Sequence, residues 1–210
     1  MRTWLLRRPV LRRTALTVAS VLIGILVSGC YLPLRLEAQI SVNRAGFYEM
    51  AYDGMMTWVP LYREVRRGDL TADAEREKAE RIADDLRRDP STSQAIYLGN
   101  GIFDVDWERS GDLLRVRSVT FIRRNSPLLT LSYSRDKQRI IMTVARPSPS
   151  QAQRLAEAGL RVEGELRLRT EGRVLFHNAE KVVEGRPGGT LYVWRVEQAP
   201  EPPRLEIEMR

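Results

Sequence analysis

Cysteine and histidine are nearly missing from this 210-residue chain: there is one of each, Cys30 and His177. A lone cysteine excludes an intramolecular disulfide. A lone histidine excludes a multi-histidine metal site. It also leaves a serine-type triad only His177 as its base, and no nucleophile-elbow glycine pattern lies near it. Long apolar runs are missing too. The longest, Ala15 to Val27, is thirteen residues, whereas a membrane-crossing helix needs roughly 20. There is no Gly/Ser or Pro tract and no repeat of fixed period, so residues 30–210 are expected to form one domain. An excess of one charge is missing as well, despite a formal net charge of +7. Residues 1–29 hold five arginines and no acid, leaving 29 basic against 27 acidic residues in the remainder. A domain so close to neutral is not expected to bind nucleic acid.

What is present begins at the amino terminus. Arg2, Arg7, Arg8, Arg12 and Arg13 precede the apolar run, and small residues follow it. Basic, apolar, small is the order of a secretory signal, so residues 1–29 are expected to be a cleaved signal peptide. Val27-Ser28-Gly29-Cys30 resembles the lipobox of bacterial lipoproteins. The resemblance implies a diacylglycerol thioether on Cys30 and signal peptidase II recognition of Val27, Ser28 and Gly29. It also implies a chain held by lipid at the cell membrane or an outer membrane, facing the periplasm or the exterior. Lipidation accounts for a single cysteine in an exported chain, where a free thiol is unusual.

Period-two alternation from Leu32 to Val42 predicts a strand with Leu32, Leu34, Leu36, Ala38, Ile40 and Val42 on one face. Asn43 to Gly46 predicts a turn and Phe47 to Trp58 the returning strand, bulged at Gly54. Val59 to Arg67 and Asp69 to Arg88 read as helices, the second with Thr71 as N-cap and a packing stripe of Ala79, Ile82, Ala83 and Leu86. An antiparallel meander is expected over 95–145, with turns at 109–112 and 134–137. Ser148-Pro149-Ser150-Gln151 starts a further helix. Strands follow at 162–169, 174–183, 190–196 and 205–209. The expected class is α+β: a curved, mostly antiparallel sheet of about eight or nine strands with two or three helices.

Asp104, Asp106 and Glu108 form the best acidic set, on one face of a strand whose other face carries Phe103, Val105 and Trp107. Spaced carboxylates suit a hard cation and a metal-dependent hydrolase. The EF-hand pattern fails, because Arg109 and Arg115 stand where Gly and Glu belong. The plainer reading is a solvated strand face opposite Arg115 and Arg117. No metal, cofactor or catalytic residue is expected, and the chain is read as non-enzymatic. Trp58, Trp107, Trp194, Tyr48, Tyr52 and Tyr192 are read as core.

The stretch HNAEKVVEGRPGGTLYVWRVE, with His177-Asn178-Ala179 and Trp194, resembles the mycobacterial LppM-type lipoproteins and their domain-of-unknown-function relatives. The resemblance implies an α+β fold with a curved antiparallel sheet around helices, and binding of envelope lipids or glycolipids. This chain departs from that group in having no apolar run before Arg210. The functional expectation is an envelope lipoprotein, bound to the membrane through Cys30, that takes an envelope lipid or other apolar ligand. An assembly module with an envelope protein partner is the alternative, and a hydrolase on Asp104, Asp106 and Glu108 the third reading.

Overall fold

Strand β1 (Tyr31–Val42) is paired on both sides, by β2 (Phe47–Trp58) antiparallel and by β8 (Glu163–Thr170) parallel. The computed structural model describes residues 31–123, 126–197 and 201–209. The signal peptide expected at 1–29, the lipobox Val27-Ser28-Gly29 and Cys30 lie outside the described residues. The first sheet (sheet A) has seven strands in the order β10-β11-β8-β1-β2-β4-β3. Its other members are β3 (Thr92–Gly99), β4 (Ile102–Asp112), β10 (Lys181–Arg186) and β11 (Gly189–Arg195). The second (sheet B) has five in the order β5-β6-β7-β12-β9. These are β5 (Ser118–Arg123), β6 (Ser126–Ser134), β7 (Arg139–Val144), β9 (Arg173–His177) and β12 (Arg204–Glu208). The helices are α1 (Val59–Arg67), α2 (Ala72–Arg87), α3 (Leu113–Val116) and α4 (Pro149–Glu157). The expected α+β, mostly antiparallel architecture is thus present, with twelve strands in two sheets and four helices among the described residues.

The sheets face each other. Ala38, Ile40, Met50, Tyr52, Trp107, Leu168 and Trp194 from sheet A share one buried cluster with Phe121, Leu131, Ile140, Met142, Leu205 and Ile207 from sheet B. Tyr52 stacks on Phe121 at 4.2 Å between ring centres, and Trp107 meets the same ring at 5.2 Å. Aromatic pairs of this geometry add about 1 kcal/mol beyond the area they bury. Tyr48, Tyr192 and the other residues read as core are buried as expected, Trp58 partly. Burial raises the phenol pKa of Tyr52, with Asp53 and Asp104 adding to the shift.

Local signals place the helices. Thr71 accepts from the Ala74 amide at the start of α2, and Ala79, Ala83 and Leu86 are buried where α2 covers β3. Two alanines in that stripe let the helix approach the strand closely. Ser148 and Gln151 close a reciprocal capping box at α4. The Tyr97 hydroxyl donates to Glu75 of α2 and accepts from the Gly101 amide. Burial and the Glu75 bond push this phenol up to about 12.

Several expectations need correction. Residues 109–112 are not a turn: β4 runs straight through them, pairing Arg109 with Met50 and Gly111 with Tyr48. The long partner strand β2 keeps the ladder going, and the Tyr48 ring occupies the space beside Gly111. Asp112 instead caps α3, its carboxylate accepting from the Leu114 amide at 2.8 Å. Residues 113–122 are therefore one helical turn and then a strand. Arg115 and Arg117 do not face the acidic set, because the neighbours of β4 are β2 and β3; Arg117 lies over the Tyr133 ring. Residues 174–183 are two strands in different sheets. The bulge falls between Pro33 and Arg35 rather than at Gly54, and it reverses the alternation of β1. Leu36 to Val42 keep their even-numbered residues in the main core, whereas Leu32 joins a separate cluster and Tyr31 takes the core side.

Candidate functional site

The outer face of sheet A carries the polar chemistry. Register places Arg195, Glu165, Glu37, Asp53, Asp106 and Gln94 as successive partners across β11, β8, β1, β2, β4 and β3. Four carboxylates therefore stand side by side on four neighbouring strands, and like charges directly opposite repel. Asp104 and Glu108 flank the row on β4. The Asp106 carboxyl is held above the usual aspartate range by desolvation first, then by Asp53, Asp104 and Glu108. Relief comes from the ends: Arg167 pairs with Glu165, and Gln94 donates to Asp104 at 2.9 Å. The acidic set read from β4 is thus part of a larger row. Among the described residues no group of three histidine, cysteine or acidic side chains is arranged to hold a metal ion.

Next to that row the sheet carries both signs of charge, arginines on β8 and glutamates on β2 and β4. Val193, Arg167, Gln39, Ala51 and Glu108 form the next line of partners, and Leu191, Arg169, Ser41, Glu49 and Ser110 the one beyond. A hollow of 700 Å³ opens over these two lines, with Arg167 and Arg169 on its walls beside Glu49 and Glu108. A second, of 440 Å³, shares Ser41, Glu49, Ser110 and Arg169 with it and reaches Phe47. Both are open to solvent. Their walls can hydrogen-bond a polar or charged ligand; they lack the continuous apolar lining an acyl chain would need.

His177, Asn178 and Ala179 form the corner where the chain leaves sheet B for sheet A. The Asn178 side-chain oxygen accepts from the Arg204 amide at 2.8 Å and from the indole N–H of Trp194 at 2.9 Å. Its side-chain N–H donates to the Pro202 carbonyl at 2.9 Å. The His177 Nδ1 accepts from the Ala179 amide at 3.2 Å, and its ring lies 4.9 Å from that of Tyr192. These residues tie β9, β10, β11 and β12 together, so the segment's geometry is that of a structural clasp. No family model matches the chain, and no curated protein matches it. Among solved structures it is similar to the folded domain of LppM from Mycobacterium tuberculosis, with 9% sequence identity and a TM-score of 0.42, over 84% of this chain and 90% of that one.

The outer-face row and hollows were not legible in the sequence, since Glu37, Asp53 and Glu165 are brought together with Asp106 only by strand register. Alternation on β1 and β8 marks Glu37 and Glu165 as solvent-facing but says nothing of which strands adjoin. Among the described residues no helix is long and apolar enough to cross a membrane.

Proposed function

We propose that this chain is a lipid-anchored, non-enzymatic protein of the bacterial cell envelope, acylated at Cys30, that binds the polar part of an envelope lipid on the outer face of sheet A. The observation that supports the anchor is how closely an ordered strand follows Cys30 in the sequence. Tyr31, the residue after the lipobox cysteine, is already in β1 and buried, as is Leu32. Residues 1–29, before that cysteine, have the basic-apolar-small order of an export signal. The charge-mixed walls of the hollow support a headgroup or sugar as ligand in preference to an acyl chain. His177 is engaged in the corner, which supports the non-enzymatic reading. Replacement of Cys30 by serine tests the anchor: labelled palmitate should enter the parent chain and not the variant, and the variant's mature form should leave the membrane fraction. Equal label in both sinks the anchor. Native mass spectrometry of the acylated chain extracted from cells tests the ligand. A bound lipid mass that falls in R169A and E49A supports it, and its absence from the parent chain removes it.

A second reading, an assembly module for another envelope protein, is favoured by the edge of sheet B. Strand β9 ends that sheet with Leu175 and Phe176 exposed. An unpaired strand edge with apolar side chains is a template for strand addition. Cross-linking in cells from position 175 should then yield one protein species; a ladder of unrelated products would count against it.

A further inference from the structure

We infer that the end of the molecule bearing Arg63, Arg66, Arg154 and Arg161 lies against the anionic headgroups of the membrane that holds Cys30. The inference rests on the acylation of Cys30 proposed above. One peptide bond joins that cysteine to Tyr31, so their Cα atoms are about 3.8 Å apart. Tyr31 pairs with Trp58 at the end of β2, and their ring centres are 4.8 Å apart. The acyl chains therefore enter the bilayer beside the end of the sheet where β1 starts and β2 stops.

That end has its own small core. Leu32 is buried with Val59, Tyr62 and Leu160, and Leu34, Leu155 and Val162 pack against them. Helices α1 and α4 are clamped there. The Tyr62 hydroxyl donates to the Ala158 carbonyl at 2.8 Å, and Tyr62 sits so close to the β3–β4 turn that a Cβ on Gly101 would be 2.7 Å from its Cα. The basic side chains are fixed around this core by their neighbours in sequence. Arg63 and Arg66 follow Tyr62 by one and four positions, on the same side of α1. Arg154 precedes Leu155, and Arg161 follows Leu160. Arg66, Arg154 and Arg161 are exposed and Arg63 is half-buried.

None of these four makes an ion pair within the described residues, whereas Lys78, Arg81 and Arg87 of α2 and Arg88 at its C-cap do. The acids close in sequence leave the excess standing. Glu64 is taken by Lys78 at 2.6 Å; Asp69, Glu157 and Glu163 are exposed and outside any ion pair among the described residues, and exposed Arg67 adds a fifth such cation, so the basic charges exceed the acidic by two. A net excess of basic charge beside an acyl anchor complements an anionic leaflet. One lipid chain alone binds marginally, and a basic patch supplies the second signal that makes anchoring stable. Each arginine at such a surface favours contact about fivefold.

The test uses the full acylated chain reconstituted in vesicles of phosphatidylcholine, with and without phosphatidylglycerol. Cys30 is the only native cysteine, so a thiol introduced by Ala156→Cys in α4, or by Ala45→Cys at the far end of β1, takes a spin label cleanly. With phosphatidylglycerol present, the label at 156 should be shielded from a water-soluble relaxation agent and the label at 45 should not. R63Q/R66Q/R161Q should weaken the preference for the shielded orientation roughly a hundredfold, and high salt should do the same to the parent chain. Equal exposure of the two labels on an anchored chain overturns this inference alone. A chain that carries no acyl mass and washes off the vesicles overturns the anchoring reading and this inference with it.

Discussion

The side-chain oxygen of Asn178 accepts the indole N–H of Trp194 at 2.9 Å, and Trp194 is completely buried. The same oxygen takes the Arg204 amide, so one side chain satisfies the most deeply buried tryptophan and fixes where β12 begins. Asn178→Ala leaves the indole donor unpaired. A buried donor without a partner costs about 2 kcal/mol, and the melting temperature should fall by about 5 °C. Asn178→Asp keeps the acceptor and loses only the bond to Pro202, so its loss should be smaller. Urea denaturation of N178A, W194F and the double variant reads the coupling directly. The double variant should be less destabilised than the two singles added together. Simple additivity would mean that the asparagine acts elsewhere.

Leu36 in the central strand has a glycine opposite it on each side, Gly54 in β2 and Gly164 in β8. A Cβ at Gly54 would lie 2.0 Å from the Arg35 carbonyl oxygen, and one at Gly164 would lie 2.0 Å from that of Leu36. Both collisions are with backbone, so neither can be relieved by a side chain turning away. Gly54→Ala and Gly164→Ala should each cost about 3 kcal/mol. Gly68→Ala, where nothing lies near the added carbon but φ is +73°, should cost less, about 1 kcal/mol. Equilibrium unfolding ranks the three, and a Gly68 variant worse than the other two would refute the close-approach argument.

The elements that declared themselves in the sequence are those set by local chemistry. The β1–β2 hairpin follows from alternation and a turn, α2 from the Thr71 cap and its alanine stripe, and α4 from the Ser148–Gln151 box. What stayed hidden depends on distant partners. The parallel pairing of β1 with β8 joins residues about as far apart as Leu36 and Gly164, and no local pattern encodes it. The split of 174–183 into two sheets turns on Asn178 finding Trp194 and Arg204, which its own sequence neighbours do not announce. The bulge at Leu34 leaves no mark in the sequence, because leucine fits either face of a strand. The acidic set on β4 was visible as three side chains. Its continuation through Asp53, Glu37 and Glu165 needed the register of three further strand pairs.

Glu206 is buried in β12 between two arginines, 3.0 Å from Arg139 and 2.6 Å from Arg204. The Arg204 bond, with help from Arg139, outweighs desolvation and holds its carboxyl below the usual glutamate range. A depressed folded-state pKa contributes stability above the unfolded value, and the contribution is lost as pH falls through the folded one. Both arginines are partly exposed, so the bridge contributes only about 1–2 kcal/mol. Glu206→Gln should lower stability by that amount at neutral pH and match the parent in strong acid. A constant gap at every pH would show that packing, not charge, makes the difference.

The carboxylate row on sheet A reverses that sign. Asp106 titrates above the ordinary aspartate range because desolvation and then Asp53, Asp104 and Glu108 disfavour its charged form. A raised folded-state pKa means that ionised Asp106 weakens the fold above that pKa. The penalty fades as pH falls from the raised value towards the unfolded one. Asp53 is its direct partner across β2 and β4. Asp53→Asn removes one like-charge contact from a solvated face and should stabilise the protein by about 0.5 kcal/mol at neutral pH. The gain should shrink in mild acid, as Asp106 takes up its proton in the parent chain, and should also shrink with added salt. Asp106→Asn should give a similar gain, and the double variant less than the sum, since the two substitutions remove the same repulsion. Thermal unfolding of the four proteins across mildly acidic to neutral pH decides the matter. A destabilised Asp53→Asn at neutral pH would mean that the row is held by something other than water, and that its carboxylates are not simply repelling one another.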